Sequence, residues 1–101
     1  MYSIRLTEQA DADLLSIYTY SYNTWGDQQA AKYTDGLREA IKRIADQPNR
    51  IGTVDRSSVR LGYRSYHQKR HLIFYRTVDN YVEIVRILHD SMDIDQQFSE
   101  E

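Results

Sequence analysis

Apolar and polar positions along the chain follow two periods, and the change from one to the other falls near its middle. Tyr2, Ile4 and Leu6 alternate with Ser3 and Arg5, which reads as a short strand with one buried face. Thr7 is placed to cap a helix, with Glu8, Asp11 and Asp13 close to the positive end of its dipole. Ala10, Leu14, Ile17 or Tyr18, Ser21 and Trp25 then recur at helical spacing, predicting an amphipathic helix over about 8–24. Gly26-Asp27 breaks this stripe, and Asp27 is a candidate cap for the next one. Ala30, Tyr33, Leu37, Ile41 and Ile44 form a second stripe, limited near Asp46 by Pro48. So short a break between two stripes predicts an antiparallel helical hairpin. Gly36 weakens the second helix by ~1 kcal/mol relative to alanine, and the close approach of another backbone is its expected compensation.

Residues 47–58 read as a loop. Beyond it the period is two: Val59, Leu61 and Tyr63 alternate with Arg60, Gly62 and Arg64. His71–Tyr75 is apolar on both sides, as in a central strand. Asp79-Asn80 marks a hairpin turn between Arg70–Val78 and Tyr81–His89. Strict alternation along the last strand puts Val82, Ile84, Arg86 and Leu88 on one face and Val85, Ile87 and His89 on the other. The predicted order is β-α-α-β-β-β, an α+β fold with the helical hairpin packed on one face of a small, mainly antiparallel sheet. Leu14, Ile17, Leu37, Ile41, Ile44, Ile73, Val85 and Ile87 are the expected core. With 101 residues this is one domain, taken as 1–95, with 96–101 an acidic tail expected to fray after one turn of helix around Met92–Phe98.

Composition narrows the function classes. No apolar run approaches the ~20 residues that span a bilayer, and the N-terminus lacks the apolar stretch of a signal peptide. The absence of cysteine removes disulfides and thiolate metal sites and suits a reducing cytoplasm. The net charge of −2 conceals ten basic and three acidic side chains within residues 36–76. A basic patch of this kind attracts nucleic acid or an acidic protein partner.

Few residues suggest catalysis. His67 and His71 stand four apart in strand context, about 13 Å along the chain, with no acid close in sequence, so neither a metal site nor a cofactor is expected. There is no nucleophile elbow and no phosphate-cradling glycine loop. Tyr18, Tyr33, Tyr63 and Tyr75 fit buried faces, whereas Tyr20, Tyr22 and Tyr66 fit outward faces, where tyrosine is common in interfaces. Arg60 and Arg64, on one strand face, are placed to meet phosphate, an acidic partner or a local acid such as Asp55. Arg86 interrupts an apolar face, where an unpaired guanidinium is costly, and a tail acid such as Asp93 is its expected ion-pair partner.

Trp25-Gly26-x-x-x-Ala30, Tyr33-x-x-x-Leu37, Leu61-Gly-Tyr-Arg64, His71-Leu-Ile-Phe-Tyr-Arg76 and, above all, Val85-Arg-Ile-Leu-His-Asp-Ser-Met-Asp93 resemble ParE toxins of bacterial ParDE type II toxin–antitoxin systems, within the RelE/ParE superfamily. The likeness runs from about Ile4 to Asp93, and the family fold is the one read from periodicity. It implies a cytoplasmic toxin concerned with plasmid or chromosomal stability and neutralised by a cognate ParD-like antitoxin. Its implied action is inhibition of DNA gyrase through protein contact, without catalysis, membrane association or sequence-specific DNA binding by the toxin alone. Arg86, His89, Met92 and Asp93 become the target-inhibition candidates. Tyr20, Tyr22, Arg60, Arg64 and Tyr66 are the antitoxin-binding candidates. The RelE branch, which cleaves mRNA in the ribosome, is the alternative; there Arg64 and Arg86 would stabilise a phosphorane and His89 would transfer a proton.

Overall fold

A computed structural model describes residues 2–99 of the chain. The elements run β1 (Ser3–Leu6), α1 (Glu8–Trp25), α2 (Asp27–Asp46), β2 (Thr53–Asp55), β3 (Arg64–Gln68), β4 (His71–Val78), β5 (Tyr81–His89) and α3 (Ile94–Phe98). The five strands form one sheet in the order β1-β5-β4-β3-β2. Only β1 runs parallel to its neighbour; the other pairings are antiparallel.

The helical hairpin forms as the stripes predict, with one residue between its arms. Gly26 has φ 91°, a left-handed value that suits glycine, and its N–H closes α1 on the Tyr22 carbonyl. Asp27 is the first residue of α2 rather than its cap, and its carboxylate accepts the Tyr18 hydroxyl proton at 2.7 Å. Leu14 and Ile17 of α1 and Leu37, Ile41 and Ile44 of α2 pack on Ile73, Tyr75, Val82, Ile84 and Ile87 of the sheet. Gly36 answers to no close backbone: a Cβ there would meet only the end of the Gln68 side chain, at 3.5 Å.

Three expectations about the sheet change. The alternation at 59–63 makes no strand. Arg56, Val59, Arg60 and Tyr63 bond one another in local turns, Gly62 has φ 87°, and Leu61 is almost fully exposed. The strands lie on either side, at β2 within the expected loop and at β3. A β-bulge between Phe74 and Tyr75 lets two residues of β5, Val85 and Arg86, span one step of β4, which breaks the strict alternation. Val82, Ile84 and Ile87 therefore face the helices, while Val85 and Leu88 face away.

Away from the helices, Val85 and Leu88 join Tyr63, Phe74 and Phe98 in a second, smaller core. The fraying expected from residue 96 does not begin there. Asp93 caps α3 by accepting from Gln96 N–H at 3.2 Å, and the Phe98 ring lies 5.1 Å from Phe74 and 5.8 Å from Tyr63. The last two residues of that tail, 100–101, lie outside the described residues.

Candidate functional site

Arg86 finds its carboxylate on α1 instead of in the tail. Its Nε and Nη2 donate to the two oxygens of Asp13, at 2.9 and 3.1 Å, and Ile87 N–H donates to Asp13 at 2.9 Å. Thr7 caps α1 and gives its hydroxyl proton to the Val85 carbonyl at 2.7 Å. The backbone bonding to β5 ends with Thr7 N–H on the Ile84 carbonyl, and these two side chains satisfy the strand groups that follow at the bulge. Asp13 thus has a tertiary role that its place near a helix N-terminus did not suggest.

The other candidates scatter. Arg64 pairs with Tyr75 in register, faces the helices, and donates to Thr53 Oγ1 at 2.7 Å; its Nε is buried with no hydrogen-bond partner. Tyr66 is half-buried against the main core, with the Arg43 guanidinium above its ring, so it does not face outward. Arg60 is exposed in the turns before β3. Asp55 binds Ser57 at 2.8 and 2.6 Å, contacts that hold its carboxyl below the usual range. Tyr20 and Tyr22 are exposed on α1 as expected.

A groove of about 680 Å³ opens between α1 and the end of the β4–β5 hairpin. Ile17, Tyr20 and Trp25 of α1 form one wall. Tyr33 of α2, Arg70 and His71 at the start of β4, and His89, Ser91 and Met92 after β5 form the other. Of the target-inhibition candidates, the groove gathers His89 and Met92. The sequence pattern places Tyr33 on a buried face and gives His71 no role beyond its strand. The bulge unites the two histidines: β4–β5 partners sum to 159 before it and to 160 beyond it, so His71 stands opposite His89 rather than Leu88. Their rings meet edge to face at 5.3 Å.

Hydrogen bonds orient both rings. Arg70 N–H donates to the Tyr33 hydroxyl at 3.3 Å, and that hydroxyl meets His71 Nδ1 at 2.6 Å, giving it its own proton. Burial first, and the neighbouring His89 second, push His71 down to about 4, so at neutral pH its proton sits on Nε2. Burial likewise raises Tyr33. Ser91 N–H donates to His89 Nδ1 at 3.1 Å, which also turns the Nε2 edge of that ring outward. Asp90, next in sequence, contacts His67 at 3.2 Å and Arg70 at 4.0 Å. Among the described residues no group of three or more His, Cys, Asp and Glu could hold a metal ion, and no helix is long and apolar enough to cross a membrane.

Known proteins share this architecture and sequence. The family profile described as ParE toxin of type II toxin-antitoxin system, parDE, matches residues 4–94. The chain belongs to the ParE toxin family. A relative named Toxin ParE1 from Caulobacter vibrioides is 46% identical over 88 residues, covering 87% of this chain and 88% of that protein. A solved structure titled "Chromosomal ParDE TA system from P. aeruginosa" superposes with TM-score 0.76 at 25% identity, covering 88% of this chain and 96% of the other. The toxin–antitoxin complex RelBE2 from Mycobacterium tuberculosis shares the fold at TM-score 0.64 and 23% identity, over 87% and 96% of the two chains. This ParE-family chain is therefore a toxin of the type II toxin–antitoxin class, built on the fold that RelE-like proteins also use.

Proposed function

We propose that this toxin acts in the cytoplasm by inhibiting DNA gyrase through protein contact and is neutralised by a ParD-like antitoxin. The family likeness supplies the target and the partner. One observation favours contact over catalysis: the three side chains a ribonuclease would use here do not converge. Arg64 lies beside Tyr75 and is bonded to Thr53. Arg86 is bonded through two nitrogens to Asp13. His89 pairs with His71, four residues along β4 from Tyr75, which is about 13 Å of strand. Bringing two guanidiniums and an imidazole onto one phosphate would require breaking both sets of bonds.

For the antitoxin, exposed Tyr20 and Tyr22 on α1 offer a helix-docking face. The outer edge of β2, with Val54 half-exposed and Ile51 fully exposed beside it, offers a strand-pairing edge near Arg60. Arg64 contributes by holding this margin in place.

The test places purified protein in a gyrase supercoiling assay beside a ribosome-programmed mRNA cleavage assay, with His89→Gln in both. Supercoiling inhibition that survives the substitution is the expected result. Codon-dependent cleavage that falls by ~10²–10⁴ in the variant, with gyrase untouched, would replace this reading with the RelE-like one.

A further inference from the structure

The groove between α1 and the β4–β5 end has two unlike halves. At one end Tyr20 and Trp25 meet edge to face at 6.0 Å, and both are more than half exposed. At the other end, the inner nitrogen of each histidine is engaged, by Tyr33 or by Ser91. That leaves the two Nε2 edges without a hydrogen-bond partner among the described residues. Arg70 adds a guanidinium whose side chain is 72% exposed and whose ion-pair partner among the described residues is Asp90, at 4.0 Å. No carboxylate lines the groove. On a chain of net charge −2, this is a concave surface with N–H donors and one positive charge at one end and bare ring faces at the other.

From this arrangement we infer that the groove binds a nucleotide, its base against Trp25 and Tyr20 and its phosphate at His71, His89 and Arg70. Base faces stack on exposed aromatic rings whatever their sequence, and a phosphate takes several donors at once. The volume lies within the ~300–1,000 Å³ of small-ligand sites. The relay from Arg70 N–H through Tyr33 to His71 fixes a donor toward the ligand before it arrives, so no proton has to move on binding. Asp90 stands behind the rings, 3.4 Å from His89 Nδ1. The inference is independent of gyrase as target, since it concerns a site on the toxin alone. A free nucleotide and one within a single strand share this chemistry, and the titration below tells them apart.

Trp25 is the only tryptophan of the chain, so its fluorescence reports on the groove directly. The full-length toxin is titrated with adenosine 5′-monophosphate, adenosine, inorganic phosphate and a single-stranded tetra-adenylate. The monophosphate should quench Trp25 at least roughly tenfold more tightly than adenosine, and inorganic phosphate should compete with it. Arg70→Gln and His89→Asn should each weaken the monophosphate by about threefold or more and leave adenosine unchanged. Tighter binding of the tetranucleotide than of the monophosphate assigns the site to a strand, and equal binding assigns it to the free nucleotide. Quenching by neither at millimolar concentration overturns the inference, as does equal affinity for adenosine and its monophosphate.

Discussion

Two polar pairs interrupt the apolar, helix-facing side of the sheet, and they are built in opposite ways. Arg86 and Asp13 form a closed pair: two nitrogens meet two oxygens, the side chains are 17% and 15% exposed, and the spare carboxylate capacity takes Ile87 N–H. His71 and His89 form an open pair, each ring held by one nitrogen and presenting the other to a groove. Both pairs owe their placement to the same bulge in β5. The closed pair docks α1 on a strand that has lost its β1 neighbour. The open pair sits at a groove, with no hydrogen-bond partner for either Nε2 among the described residues. Complete satisfaction of polar groups marks a device of the fold, whereas directed but unfilled donors mark a place for something else.

Breaking the closed pair should have the largest effect. Asp13→Ala removes the carboxylate that accepts from the Arg86 guanidinium and from Ile87 N–H at a largely buried position. A loss of about 3 kcal/mol is expected, read as a lower urea midpoint at unchanged slope. Removing Arg86 as well should restore part of that loss, because the guanidinium that Asp13 neutralised is gone. A single variant as stable as the parent would mean that α1 is held by its apolar stripe alone.

The second core supplies the next test. Phe98→Ala removes the ring that packs between Phe74 and Tyr63, and about 3 kcal/mol should go with it. A near-neutral result would return α3 to the frayed tail that its acidic sequence suggests.

How much of this was legible in the sequence follows from the range of each contact. The helical hairpin could be read because its stripes, Gly26 and Pro48 are local signals. The bulge could not, since nothing in Glu83–Ile87 distinguishes a strand that carries one extra residue. Without it, alternation puts Ile87 and Val85 on one face, and His71 opposite Leu88. The Asp13–Arg86 pair spans 73 residues, and an acid near a helix N-terminus already has a sufficient local explanation. Phe98 shows the same limit from the other side: the helical turn around Met92–Phe98 is read locally, but that the ring is packed shows only when Phe74 and Tyr63 are there to receive it.

Acid should separate the two pairs without mutation. His71 is held neutral, with its folded value near 4 against 6.5 when free. In the folded protein the ring stays unprotonated where the unfolded chain already takes a proton. Stability should therefore fall as pH drops from about 6.5 towards 4 and level off below that for this group. Urea midpoints across that window, compared with those of His71→Gln, isolate the contribution: the variant should have a shallower slope. Parallel slopes would place the acid sensitivity elsewhere in the protein.

The smallest expected effect is a gain. Gly36 lies inside α2, one turn beyond Tyr33, and faces the hairpin that carries Gln68 and His71. Since an added Cβ meets only Gln68 Nε2, at ordinary contact distance, Gly36→Ala should stabilise the protein by about 0.5–1 kcal/mol, through helix propensity and a less flexible unfolded chain. The position also gauges the open pair. If Gln68, which accepts from Arg43 at 3.4 Å, cannot yield, the new methyl group pushes α2 away from the hairpin. The Tyr33–His71 bond then lengthens, and the pH slope assigned to His71 becomes shallower. A gain in urea midpoint with that slope unchanged means the histidine is held by its own hydrogen bond and burial; a loss with the slope reduced means that α2 sets the geometry of the groove.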